Sequence, residues 1–392
     1  MVAARNRWRW GRMLGAAATA AACAVTGCTG DSASDPAPDR TAAVDSAPNA
    51  SPPVDPTIER FVDETLPAGV SGTVLAARGD QLVDCEGIGW SDRAAKIEAG
   101  CDTVYDIQSI TKQFTAAAIL KLEMMGRLRV GDPIRKYIGP VPVDKRHITI
   151  HQLLTHTSGL PELLGGDYQP LTREQMLHRA MSVPLESPPG ARYRYSNVGY
   201  SVLAAIVEKV SGMGYEEFLA SKLFEPAGMT QTGYVLPDWS PESVAVEYDR
   251  HGRPHGRPYD HPWAADGPYW NLRGNGGILT TAPDMFRWNL ALRGDQVLSR
   301  AAKAKLFTPY VREGPHATTS YGYGWVVANS KRYGKVVWHD GGNDWSLSMA
   351  ARFLDSDVFV FWTSNHAYQQ GKWNLERSLQ KLTLGIAQRT LD

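Results

Sequence analysis

Apolar and polar positions along this chain follow two rhythms, and the change from one to the other marks its parts. "TIERFVDETL" (57–66) carries its apolar residues at helical spacing. "GVSGTVLAARGDQLVDCEGIGWSD" (69–92) holds two β-rich runs around "RGDQ", which predicts a hairpin. From 114 to 126 the pattern is apolar nearly all round, "FTAAAILKLEMMG", the signature of a buried helix. "LRVGDPIRKYI" (128–138) then reads as a punctuated loop. "ITIHQLLTHTSGLP" (148–161) begins as a helix and turns at Ser158-Gly159. "REQMLHRAMS" (173–182), "NVGYSVLAAIVEKVSG" (197–212) and "YEEFLASKLF" (215–224) are helical in period, and Gly212 supplies a stop signal. Residues 236–275, rich in Pro, Gly, Asp and aromatics, read as long loops. The rhythm then changes. "YGYGWVVANS", "KVVWHDGG", "WSLSMAARFL" and "DVFVFWTSN" are β-branched or alternating runs with short turns between them, as in an antiparallel sheet. "KWNLERSLQKLTLGIAQ" (372–388) closes the chain as an amphipathic helix. This order predicts an α/β fold: an antiparallel sheet flanked by helices and assembled from both ends, with a mainly helical subdomain between them.

The first residues break both rhythms. "MVAARNRWRWGR" is basic and "MLGAAATAAACAV" is a short apolar run, the arrangement of a secretory signal over 1–27. The run is too short to span a bilayer. Its end, Val25-Thr26-Gly27-Cys28, resembles a bacterial lipobox. That resemblance implies lipid on Cys28 and a protein anchored to the outer face of the cell membrane. Residues 28–56 are mostly Ala, Ser, Asp and Pro, a composition that cannot bury enough surface to fold, so they read as a tether. One folded domain is expected over 57–392. In an exported chain the remaining pair, Cys85 and Cys101, is expected to form a disulfide.

Charge narrows the partners. Lys+Arg and Asp+Glu both number 41, which gives no footprint for nucleic acid. His251, His255 and His261 follow no zinc spacing and have no nearby cysteine, so no metal or other cofactor is expected. A monomer is the simplest assembly.

The candidate chemistry lies at "QSITK". Ser109 and Lys112 are i,i+3 neighbours at a helix start, where backbone N–H groups favour developing negative charge. A serine hydroxyl needs a neighbour to take its proton, and a buried lysine tends to lose its own. Alone the motif is weak, because Ser378-Leu379-Gln380-Lys381 repeats it in the closing helix. Tyr195, in "RYRYSNVGY", is a second candidate base, although "YSN" also reads as a plain helix cap.

These segments together resemble the serine β-lactamase and penicillin-binding-protein superfamily. "SITKQFTAAAILKLEMMGRLRVGDPIRKYI", "ITIHQLLTHTSGL", "YSNVGYSVLAAIVEKVSG", "LFEPAGMTQTGY", "GGILTTAPDMFRW" and "YGYGW" match its landmarks in order over roughly 57–385. They lie nearest the branch of class C β-lactamases, D-alanyl-D-alanine carboxypeptidases and esterases. The resemblance implies Ser109 as nucleophile, Lys112 as its proton partner and Tyr195 as general base. It implies that Asn197 contacts the substrate amide and orients Lys112. It puts the third box at His339-Asp340-Gly341 and an oxyanion hole at the N–H groups of Ser109 and Gly342. His156, Ser158, Gly276 and Gly277 become structural. Where β-lactamases carry Lys in the third box this chain has His339, and the middle hydroxyl is replaced by Asp340, which strand alternation turns away from the site. Both changes weaken β-lactam hydrolysis and leave ester, amide or D-amino-acid peptide cleavage open. The expected substrate is a small molecule or a cell-wall peptide. The alternative is a penicillin-binding sensor or a non-catalytic cell-wall module.

Overall fold

The computed structural model describes residues 52–392. The signal segment 1–27, Cys28 and the tether up to residue 51 lie outside the described residues. Helix α1 (Pro56–Thr65) begins one residue before the sequence reading placed it, because Asp55 caps it: its carboxylate accepts from the N–H groups of Thr57 and Ile58. Just before it, the Pro53 carbonyl accepts the Cys85 N–H at 2.8 Å, so the last part of the expected tether lies along a strand.

Eight strands form one sheet: β1 (Gly72–Arg78), β2 (Gln81–Ile88), β3 (Val311–Arg312), β4 (Ser320–Tyr321), β5 (Val326–Ser330), β6 (Gly334–Gly342), β7 (Leu347–Phe353) and β8 (Val358–Ser364). Their order is β3-β4-β5-β6-β7-β8-β1-β2, antiparallel throughout. The two chain ends meet where β1 pairs with β8, from Thr73↔Thr363 to Arg78↔Val358.

Both faces of β7 and β8 are buried, which explains their nearly continuous apolar runs. Leu75, Val337, Ala350, Phe359 and Phe361 point into the main core with the helical block. Alternate residues face the closing helix, where the Trp362 indole N–H donates to Thr383 Oγ1 at 3.0 Å. Helix α2 (Thr111–Met124) is buried almost all round, as its pattern predicts. It packs beside α3 (Asn197–Ser211), which ends at Gly212 in the left-handed conformation. Helix α4 (Leu375–Leu391) packs on α1 and β8.

The sequence reading missed the helices Ala282–Arg293 and Arg300–Leu306, and within 128–138, read as loop, Arg135–Ile138 form a short helix. Residues 236–275 are not loop throughout. They hold two small strand pairs, Glu247–Tyr248 with Pro254–Gly256 and Trp263–Ala264 with Gly267–Pro268. Cys85 and Cys101 form the expected disulfide, with Cα atoms 5.7 Å apart.

Candidate active site

Ser109 does not open helix α2. It sits one turn earlier, in a 3-10 turn over Gln108–Ile110. Gln108 has φ 51°, a left-handed conformation that is uncommon for a residue with a side chain. Ser109 is half-buried, while Lys112, three residues on, is fully buried. Lys112 Nζ donates to Ser109 Oγ at 2.9 Å and to the backbone carbonyl of Asn275 at 2.6 Å. Tyr195 OH donates to the same Ser109 Oγ at 2.9 Å. Lys112 Nζ also lies 4.8 Å from the centre of the Tyr195 ring. Two side chains, one three residues away and one 86 residues away, therefore converge on one oxygen.

Asn275 was not singled out from the sequence, because its contribution is a main-chain carbonyl. The visible signal is only the "GNGG" turn. Its side chain fixes that carbonyl: Nδ2 donates to Ser201 Oγ and to the Asn271 carbonyl, both at 2.8 Å. Gly274 lets the turn approach α3, since a Cβ there would stand 2.5 Å from Ala204 Cβ.

Tyr195 is aimed by His156. The imidazole Nδ1 accepts the Ser196 N–H at 3.0 Å, and the His156 carbonyl accepts the Arg194 N–H at 2.8 Å. The two rings lie 4.3 Å apart. The cap reading of "YSN" also holds, because Ser196 Oγ accepts from Gly199 N–H. Asn197 is the first residue of α3, and its carboxamide oxygen, the atom that would accept from Lys112, is buried without a hydrogen-bond partner.

The third box lies in β6. Val337 and Gly341 share the face turned toward the main core and Ser109, and His339 stands between them. A Cβ at Gly341 would come within 2.4 Å of the Ile107 carbonyl oxygen, so only glycine lets β6 close on the Ser109 turn. Gly342 follows at an exposed position. His339, expected to contact substrate, is engaged inside the protein. It is buried, its Nε2 is 2.9 Å from Tyr321 OH and its Nδ1 is 2.6 Å from the Asp340 carbonyl. With both nitrogens engaged inside the protein, the imidazole braces Tyr321. Asp340 points the other way, and its charge helps raise the pKa of Glu376 in α4, after burial.

The repeated motif in the closing helix is inert by geometry. Ser378 Oγ donates to the Asn374 carbonyl at 3.2 Å, and Lys381 is exposed. Among the described residues no group of three His, Cys, Asp or Glu side chains is placed to hold a metal. His261, which follows no zinc spacing, stacks with Tyr168 and with Trp345, its ring 4.4 Å from each.

Comparison with known proteins identifies the family. A family model described as Beta-lactamase matches residues 54–384. Penicillin-binding protein 4* of Bacillus subtilis (strain 168) is 31% identical over 309 residues, which cover 75% of this chain and 68% of that protein. The putative penicillin-binding protein PbpX of the same organism is 32% identical over 66% of this chain, which spans 63% of that protein's length. Among solved structures, the octameric penicillin-binding protein homologue from Pyrococcus abyssi aligns with a TM-score of 0.70 at 27% identity, covering 84% of this chain and 77% of that one. Fold and comparisons together define a serine hydrolase built on an antiparallel sheet and a helical block. The chain belongs to the beta-lactamase family. The expectation of a monomer does not fit the octameric assembly described for the Pyrococcus abyssi homologue.

Proposed function

We infer that the protein is an exported, lipid-anchored serine hydrolase that cleaves a small ester or amide through an acyl-enzyme on Ser109. The observation that carries this reading is Ser109 Oγ held at 2.9 Å by both Lys112 Nζ and Tyr195 OH. In the proposed cycle Tyr195, as phenolate, takes the Ser109 proton as Oγ bonds to the substrate carbonyl carbon. The N–H groups of Ser109 and Gly342 receive the developing oxyanion, each such donor contributing about 3–4 kcal/mol in the transition state. Tyr195 OH then protonates the leaving oxygen or nitrogen as its bond to the acyl carbon breaks. Water then gives a proton to Tyr195 as its oxygen bonds to the acyl carbon, and Tyr195 returns that proton to Ser109 Oγ as the Oγ–acyl bond breaks, which restores the phenolate and the serine hydroxyl. Lys112, fixed by the Asn275 carbonyl, keeps the serine oxygen in line, and Asn197 contacts the substrate amide.

The third box bears on substrate class. His339 is engaged at both nitrogens and Asp340 faces α4, so this box offers a substrate carboxylate neither a free imidazole nor a hydroxyl. That supports neutral esters and amides ahead of D-alanyl-D-alanine peptides, with β-lactams third. Export and anchoring rest on the basic and apolar leader and on Cys28.

The test is labelling of the purified protein with a fluorophosphonate and with a fluorescent penicillin, beside a panel of nitrophenyl esters, a D-Ala-D-Ala peptide and a chromogenic cephalosporin. The fluorophosphonate should label Ser109, and neutral esters should be the best substrates. Ser109→Ala should lower turnover by about 10⁴–10⁶-fold. No labelling and no ester turnover would sink the reading.

A further inference from the structure

Glu247 is buried, with 2% of its surface exposed, in a segment that no part of the cycle above uses. An uncompensated carboxylate in such a place costs several kcal/mol, on the order of the penalty for any unpaired buried ion. Its Oε1 accepts from Ser346 Oγ at 2.8 Å. Its Oε2 has no hydrogen-bond partner, the nearest cationic candidate being His261 Nε2 at 3.6 Å. Ser346 Oγ in turn accepts from Gln108 Nε2 at 2.9 Å. The polarity of this chain is set by which acceptor lies nearer the Ser346 hydroxyl: Asn343 Oδ1 is 3.2 Å away, and Glu247 Oε1 is 2.8 Å away. The oxygen's lone pairs are then left for Gln108.

Gln108 is the residue that needs holding. It directly precedes Ser109 and has φ 51°. A side-chain-bearing residue in this region costs about 1–3 kcal/mol and persists only where its surroundings over-determine it. Its N–H is fixed by Asp106 Oδ1 at 2.7 Å, and its carboxamide by Ser346.

We propose that Glu247 is a positioning residue of the Ser109 site, acting through Ser346 and Gln108 to hold the left-handed turn that presents the nucleophile. The proposal rests on Ser109 as the nucleophile. His261, whose Nε2 lies 3.6 Å from the same carboxylate, stacks with Tyr168 and with Trp345.

The experiment measures the second-order rate of Ser109 labelling by a fluorophosphonate, together with kcat and KM on a nitrophenyl ester. Ser346→Ala and Glu247→Leu should each slow labelling by about ten-fold or more, as expected for a misplaced nucleophile, with KM little changed. Glu247→Gln keeps an acceptor oxygen and should recover most of the rate. Gln108→Gly removes the tether while allowing the same backbone. If the chain runs through Gln108, adding Ser346→Ala to Gln108→Gly should cost nothing further. Should Glu247→Leu fail to fold, the Ser346 and Gln108 cycle decides alone. Wild type labelled and Ser346→Ala labelled at the same rate overturns this inference only, as does full additivity in the cycle. Wild type left unlabelled overturns the hydrolase reading and this inference with it.

Discussion

His156 is fully buried, has φ 58°, and meets the Tyr195 segment at three points: its ring lies against Tyr195, its Nδ1 accepts the Ser196 N–H and its carbonyl accepts the Arg194 N–H. The sequence reading made it structural, and structurally it carries the residue on which the proposed proton transfer depends. His156→Asn, which tolerates a left-handed backbone but has no ring, should leave the Ser196 N–H unsatisfied. The expected result is a loss of about 1–3 kcal/mol in urea unfolding and slower Ser109 labelling. Unchanged labelling would show that Tyr195 holds its own position. Gly341 gives a second residue-scale case. A Cβ there meets the Ile107 backbone, which cannot move away as a flexible side chain could. Gly341→Ala should therefore cost about 1–3 kcal/mol and push β6 off the Ser109 turn. The measurement is ester turnover beside circular dichroism, and full activity would contradict the close approach. Ser109, Lys112 and Tyr195 were legible because their side chains carry the chemistry in a recognisable order. The Asn275 carbonyl was not, because every residue type has one and only folding says which faces the lysine.

At the scale of elements, legibility followed length among the strands but not among the helices, since the 12-residue helix Ala282–Arg293 was missed. The strands of five to nine residues from β5 to β8 were visible in their periods, because one or both faces must be buried. The strand pairs inside 236–275 are two or three residues long and show no period, so that stretch read as loop. The seam between β2 and α1 held another feature that patterning did not reveal. Asp84 is fully buried, its Oδ1 accepts the Asp55 N–H at 2.9 Å, and Glu86 lies two residues on. Burial, together with the charges of Asp55 and Glu59, raises Asp84 from 3.8 to about 6. Burial and the charges of Asp84, Glu59 and Asp63 raise Glu86 from 4.5 to about 7. Both carboxyls hold protons more tightly in the fold than in the open chain. Folding therefore takes up protons across this window, and the contribution to stability is present at low pH and lost as pH rises through about 6 and 7. Urea midpoints measured between pH 4 and 8 should fall across that range by more in the wild type than in Asp84→Asn, which keeps the acceptor for Asp55 N–H. A variant profile as steep as the wild type would remove Asp84 from the account.

At the scale of the whole molecule, the sheet depends on contacts between the two ends of the folded chain. That much could be read from the order of strands, helices and strands. The register of β1 against β8 could not, because it is set by faces that meet only after the chain has closed on itself. The disulfide lies on the path from this sheet to the nucleophile: Cys85 is in β2, Cys101 follows the hairpin, and residues 105–108 lead into the Ser109 turn. A bridge with a sequence separation of 16 restricts the unfolded chain by about 3 kcal/mol on a loop-entropy account. It does not hold the path alone. Thr73 Oγ1 in β1 donates to the Gly100 carbonyl at 2.8 Å and lies 3.0 Å from Tyr105 OH. The double substitution Cys85→Ala with Cys101→Ala should thus lower unfolding free energy by about 3 kcal/mol while Ser109 labelling below the transition stays near the wild-type rate. Urea unfolding of the two proteins, with and without a reductant, separates the outcomes. An unchanged midpoint would mean that the bridge adds nothing to stability, and a collapse of labelling in the still-folded variant would mean that Thr73 does not hold the turn without it.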